Sequence, residues 1–192
     1  MSYKLKTAPA VEIVSTGDMK NYIKLHSSIT ADDTLILALV KGSRQWAEEY
    51  TRRGFITQTW ELYLDSFPVT GDILLLKNPV QSVTSIKYYD VNNELQTLES
   101  SPAVYDVDTV DEPGRIRPAL NESWPVTYNK LNAVIIEFKV GYGDAATDVP
   151  QDIVKAVEAK VNHDWTNRGE DGRITYPKAI YNSLDMYRLF RF

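Results

Sequence analysis

The stretch TRRGFITQTWELYLDSFP, residues 51–68, decides the fold. Upstream of it the apolar residues repeat at helical spacing: Leu35, Leu39, Trp46 and Tyr50, joined by Ile36, Val40 and Ala47, form one stripe. Inside it the period drops to two. Trp60, Leu62 and Leu64 fall on one face and Thr59, Glu61 and Tyr63 on the other, the pattern of a half-buried strand. Gly54, at the junction, is the expected C-terminal cap of the helix.

Working outward, a short helix is expected from a cap at Thr16 through His26, with Met19, Tyr22 and Ile23 inward. Thr30 and Asp33 have capping-box spacing at the head of the long helix, and Gly42 and Ser43 interrupt its stripe with side chains small enough for a close helix crossing. Downstream, DILLL, SVTSIKYYD, ELQTL and AVYDV read as strands, with Asn92-Asn93 as a tight hairpin turn. EPGRIRP reads as a turn in which Gly114 takes a positive φ, and NAVIIEFKVGYG as the last strand, with Val134, Ile136, Phe138 and Val140 on one face. Helix returns after Pro150 with Ile153, Val157, Val161 and Trp165 in one row, and again near Pro177 with Ile180, Leu184 and Tyr187 inward. The fold class is α+β. Helical N- and C-terminal segments, residues 1–54 and 144–192, pack as one core with a β-rich insert, residues 55–143, between them in a single domain.

Composition limits what such a chain can do. With 192 residues and 43% hydrophobic content it can bury one substantial core, and no run of about 18 apolar residues offers a membrane span. The opening MSYKLKTAPAVEIVSTGD lacks the apolar core of a secretory signal, so a soluble, cytosolic protein is expected. Zero cysteines exclude disulfides, thiolate catalysis and Cys-based zinc sites. A net charge of −5 argues against general binding to nucleic acid, where affinity comes from Lys and Arg. The charge is uneven: Asp90, Glu94, Glu99, Asp106, Asp108, Asp111 and Glu112 follow one another with no Lys or Arg between them. Such a run is either a solvated surface of loops or a face that must not adhere to nucleic acid.

The catalytic inventory is short. His26 and His163 are the only histidines, too few for a zinc or di-metal hydrolase, and His163-Asp164 lacks the further histidines of a metal phosphohydrolase. GYGD, residues 141–144, is neither a phosphate-binding loop nor a dinucleotide fingerprint. Acidic pairs at Asp32-Asp33, Glu48-Glu49 and Glu170-Asp171 have the residue type of a glycosidase, but adjacent side chains on a helix diverge. No catalytic residue, metal or cofactor is assigned.

The blocks ALVKGSRQWAEEYTRRGFITQTWELYLDSFP, LLLKNPVQSVTSIKYYD, YDVDTVDEPGRIRPALNESWP and AVIIEFKVGYGDAATDVPQDIVKAV, in this order and spacing, resemble the tailed-bacteriophage head-tail connector family. The resemblance covers nearly the whole chain and weakens after Gly169. It implies a structural adaptor and no enzyme: a ring of identical subunits beneath the portal that extends the DNA channel and presents a platform for the tail. The implied partners are the portal protein, a tail or head-closure protein and further copies of the chain, with a dodecamer suggested; no sequence-specific nucleic acid and no membrane are involved. The implied place is the host cytoplasm during assembly and then the head–tail junction of the virion.

Within that frame three groups of residues are candidates. The apolar and basic tail Tyr187, Arg188, Leu189, Phe190, Arg191 and Phe192 suits portal docking, against the alternative that it folds back on its own helices. Asp106, Asp108 and Asp111 are candidates to face the channel, and Tyr63, Tyr88 and Tyr89 to meet a neighbouring subunit. Two other readings stay open: a head-closure or tail-completion protein of the same assembly, and a ligand- or glycan-binding β module with Trp60 and Trp124 as sugar platforms.

Overall fold

The computed structural model describes residues 1–99, 104–168 and 175–189. Among them the chain is a mixed α/β fold with four α-helices and two antiparallel sheets. It divides into two compact units, residues 1–9 with 57–142 and residues 10–56 with 143–192.

The first unit holds every described strand. β1 (Ser2–Thr7), β2 (Gln58–Leu64), β8 (Val134–Val140), β4 (Val80–Tyr89) and β5 (Leu95–Thr97) form the larger sheet in the order β1-β2-β8-β4-β5. β3 (Ile73–Leu75), β7 (Gly114–Pro118) and β6 (Tyr105–Asp108) form the smaller one in the order β3-β7-β6. The two-residue period read from the sequence sets the register. Trp60 stands opposite Phe138, Leu62 opposite Ile136 and Leu64 opposite Val134, so one face of β2 and β8 is apolar throughout. That face joins Ile86 of β4 and Ile73, Leu75 and Ile116 of the smaller sheet in one core. Leu62, Ile86, Ile116, Ile136 and Phe138 are fully buried, and each such side chain stabilises by about 1.5–3 kcal/mol.

β4 is the irregular member: its register against β8 shifts between Val80 and Ser82 and again between Val83 and Ser85. These bulges return Val83 and Ile86 to the core side despite the polar SVTS run. The β4–β5 hairpin turns as read, with Asn93 in the left-handed region (φ 62) and Asp90 Oδ1 accepting from the amides of Asn92 and Glu94. The reading of Gly114 is corrected. Its φ is not positive; glycine is required because a Cβ there would lie 2.8 Å from Val80 Cγ2. β1 is an addition to the expected strands. SYKLKT alternates, with Tyr3 opposite Leu62 and Leu5 opposite Trp60, but its lysines mask a strand that has, among the described residues, a neighbour on one side only.

The second unit contains α1 (Thr16–Tyr22), α2 (Asp33–Thr51), α3 (Gln151–Thr166) and α4 (Lys178–Asp185). Here α2 contacts α1, α3 and α4, and α3 contacts α4. Three capping assignments move. Ser15, not Thr16, caps α1, accepting from the Asp18 amide at 3.0 Å, and the helix stops short of His26. Asp32 is the N-cap of α2 and makes no side-chain cap bond. Its C-cap is Arg52, in the left-handed region at φ 60, two residues before Gly54. An Arg is held there because the next residue, Arg53, donates its amide to the Glu48 carbonyl, and its Nε donates to the Tyr187 carbonyl at 2.5 Å.

The buried row of α2 is Ile36, Val40, Ser43, Ala47 and Thr51, with Arg44 and Glu48 beside it, so Leu35 is exposed. Gly42 faces open space and marks no crossing; buried Ser43 supplies the small side chain. Arg44 is tolerated in the core because its charge is met on both sides. Its Nε donates to Glu12 Oε2 at 2.7 Å and its Nη1 to Glu48 Oε2 at 2.5 Å, while Glu48 Oε1 accepts from the Phe55 amide at 2.9 Å. Although burial opposes its charge, the two carboxylates raise the Arg44 pKa further. At the other crossover into this unit Gly143 bridges to Ile56, and a Cβ on it would meet Asp148 Oδ2 at 2.2 Å.

Candidate docking surfaces

Side chains with catalytic potential are occupied by packing. His163 sets its ring edge-on to Tyr176 at 5.3 Å, and Asp164 accepts from Lys160 at 2.7 Å. Lys160 is itself buried, 4.4 Å from the Tyr176 ring and 5.3 Å from that of Trp46, so the HD pair belongs to an aromatic cluster on α2, α3 and the start of α4. A cavity of about 340 Å³ beside it is lined by Tyr22, Asn162, His163, Asn167, Pro177 and Ile180, among others. His26 bonds Ser28 Oγ at 2.7 Å. Of the acidic pairs, Asp33 is bound to Lys20 and Glu48 to Arg44, and Glu170-Asp171 lies outside the described residues. Among the described residues no three His, Asp or Glu side chains converge as a metal-holding group.

Asp106 and Asp108 come together on the outer face of the smaller sheet, where register sets them opposite Arg117 and Arg115. The sequence run that looks wholly acidic is thus answered from the next strand. Arg115 binds Asp108 at 2.9 Å and Asp111 at 2.8 Å, and Arg117 binds Asp72 at 2.8 Å. Asp108 also shapes the hairpin: Oδ1 accepts from the amides of Val110 and Asp111. Those amide bonds, then Arg115, hold its carboxyl below the usual range. A concavity of about 250 Å³ on this face is lined by Asp106, Val107, Asp108, Arg115 and Arg117.

The three tyrosines separate. Tyr63 and Tyr89 share the outer face of the larger sheet, whereas Tyr88 lies on its core side, edge-on to Phe67 at 5.8 Å. Tyr63 donates to Glu61 at 2.6 Å, which raises the phenol's pKa and lowers that of the carboxyl. Glu61 and Glu137 stand directly opposite each other, a like-charge pair that Lys6 of β1 bridges at 3.3 and 2.6 Å. The bonds to Glu137 and then Glu61 raise the Lys6 pKa. Tyr89 lies under the ammonium of Lys130 at 3.1 Å. Trp60 and Trp124 each have a covered face, the first by Lys77 at 4.6 Å, the second by Phe67 in a parallel stack at 4.7 Å.

The described part of the tail lies along the end of α2. Leu189 donates its amide to the Thr51 carbonyl at 3.1 Å, Tyr187 offers its carbonyl to Arg53, and Arg188 sits 4.8 Å from the Tyr50 ring. Tyr50 donates to Asp185 at 2.5 Å, which raises the pKa of the phenol. Phe190, Arg191 and Phe192 lie outside the described residues.

Two surfaces escape sequence reasoning. One is the pair of sheet edges, β1 and β5, for which the alternation of SYKLKT is the available signal. The other is a loop carrying exposed Val126, Tyr128 and Leu131 above a cavity of about 540 Å³ that Asp65 and Ser66 help to line. No periodicity marks such a loop.

The chain is similar over its whole length to solved structures of particle necks. It matches a chain in the neck of an empty gene transfer agent particle computed with C6 symmetry (TM-score 0.84, 19% identity, 100% of this chain and 97% of that one). It also matches a chain in the virion of a native gene transfer agent particle (TM-score 0.82, 19% identity, 100% and 97%). A third match is to the neck of the native particle computed with C12 symmetry (TM-score 0.75, 20% identity, 100% and 97%). At this identity the likeness shows a shared fold. No family model and no curated protein matches the chain.

Proposed function

We propose that the chain is a structural subunit of a head–tail neck, an adaptor that forms a ring beneath the portal, extends the DNA channel and offers a platform to the tail. The observation that carries this reading is the full-length likeness to a chain in a gene transfer agent neck. The head-tail connector resemblance of the ordered sequence blocks points the same way. In this reading the N- and C-terminal helices act as one core and residues 55–143 as its β-rich insert, the whole working as one domain. The partners are the portal protein, a tail or head-closure protein and further copies of the chain, twelve by resemblance. The role is structural, carried out in the host cytoplasm during assembly and then at the head–tail junction. Among the described residues no helix is long and apolar enough to cross a membrane.

Tyr187 to Phe192 are assigned to portal docking, Asp106, Asp108 and Asp111 to the channel side, and Tyr63, Tyr88 and Tyr89 to contacts between subunits. A head-closure or tail-completion protein would occupy the same neck and is the second reading. The glycan-module reading is disfavoured by the covered faces of Trp60 and Trp124. Negative-stain microscopy with and without portal tests the proposal. Rings seated on portal are the expected result, and a monomer that ignores portal refutes it.

A further inference from the structure

The larger sheet ends in two unlike edges, and we propose that β1 of one copy pairs with β5 of the next, joining the sheets of a ring into one continuous belt. This rests on the ring reading above and names its subunit interface. A cyclic ring needs two different surfaces on each subunit that fit one another. Among the described residues each edge strand has a sheet neighbour on one side only, β2 for β1 and β4 for β5. In the β4–β5 hairpin Asp90 donates to the Glu94 carbonyl and Leu98 to the Ile86 carbonyl, so positions 94, 96 and 98 bond inward. By alternation Leu95 and Thr97 turn their amide and carbonyl groups to the free edge.

Strand direction agrees with this pairing. Four successive antiparallel steps separate β1 from β5, so the two run the same way. Rotation about a ring axis lying along the strands preserves direction, and β5 therefore meets the next β1 in a parallel ladder. Charge agrees as well. β1 carries exposed Lys4 and Lys6, while β5 is flanked by exposed Glu94 and Glu99 with no cation between them. Lys87, opposite Thr97 on β4, sits one strand further in. In parallel register Ser2, Lys4 and Lys6 fall beside Leu95, Thr97 and Glu99, all on the outer face. The same lysines repel a second β1, so the basic edge blocks self-pairing and admits the acidic one.

The chain has no cysteine, which makes a cross-linking test clean. Within one copy β1 and β5 stand four strand spacings apart, about 19 Å, beyond the reach of a short linker. The double variant Ser2→Cys, Thr97→Cys, assembled on portal and treated with a short bis-maleimide, should give a ladder of covalent oligomers that neither single variant gives. Lys4→Glu should raise the concentration needed for assembly about fivefold, and Glu99→Lys combined with it should restore assembly. Rings visible by microscopy without a Ser2–Thr97 cross-link overturn the β1–β5 interface and leave the ring reading standing. Cross-linked dimers of the single Ser2→Cys variant, from β1 pairing with β1, overturn it too. No rings on portal at all overturn both.

Discussion

Removing residues 188–192 separates docking from folding, and the structure sets how much stability should go with them. Two described interactions disappear: the bond from the Leu189 amide to the Thr51 carbonyl, and Arg188 over the Tyr50 ring. A backbone hydrogen bond is worth about 1 kcal/mol net and an exposed cation–π contact about 0.5–1 kcal/mol, giving about 1.5–2 kcal/mol together. The Tyr50–Asp185 bond and the Arg53–Tyr187 bond remain, so α4 keeps its attachment to the end of α2. For a chain of this size about 2–4 °C of Tm accompanies each kcal/mol, so thermal unfolding should come about 3–8 °C lower with unchanged far-ultraviolet circular dichroism. Co-sedimentation with portal should be abolished. A truncated protein that sediments with portal as the full chain does refutes the docking assignment. One that aggregates, or loses more than about 15 °C, places the tail in the core and refutes the magnitude as well.

Three further perturbations follow from particular contacts. Gly143→Ala should destabilise by about 1.5–3 kcal/mol, because the new Cβ must displace the Asp148 carboxylate from the Ala145 amide. In an Asp148→Ala background it should cost far less, and additive melting shifts in the double variant would refute the clash. The Glu158 carboxyl is pushed up by burial and then by Asp18, so its charge opposes folding and stability rises as pH falls through its folded pKa. Glu158→Gln should therefore raise Tm at pH 7, with the gain vanishing below about pH 4; an equal gain at both pH values would refute the repulsion. Asp106→Lys with Asp111→Lys, sparing Asp108 because it builds the hairpin, should make assembled rings retain DNA in a salt-sensitive way. Salt-independent passage would move that face to the outside of the ring.

Much of the fold can be read because burial leaves a periodic trace. The period change after Gly54 locates β2, and the apolar alternation of Val134 to Val140 locates its partner with the right face inward. What resists reading is local geometry decided by a distant residue. Arg52 occupies the left-handed cap position expected of Gly54, while Arg53 beside it is held by the Tyr187 carbonyl, 134 positions away in sequence. Gly114 is needed because Val80 approaches it, and no local turn pattern records that approach. Arg44 and Glu48 flank the buried row of α2 and break its apolar stripe, since their burial depends on Glu12 and on the Phe55 amide.

The candidate surfaces are legible as residue types but not as fields. Seven carboxylates in a run suggest a strongly negative face, yet register sets Arg115 and Arg117 opposite Asp108 and Asp106, and Asp72 arrives from before β3. Four carboxylates against two guanidiniums leave a modest net charge, part of it fixed in a hairpin turn. The same logic runs the other way at β1. Its two lysines look like solvated charge, but Lys6 bridges Glu61 and Glu137, which stand opposite each other on adjacent strands and would repel without it. Lys4 has no such employment, and it is exposed on an edge strand whose backbone partners on the far side are still to be supplied. A function carried by edges and faces leaves no cluster of reactive side chains to find. It shows only when the strands are set in order and the charges on each edge are read together.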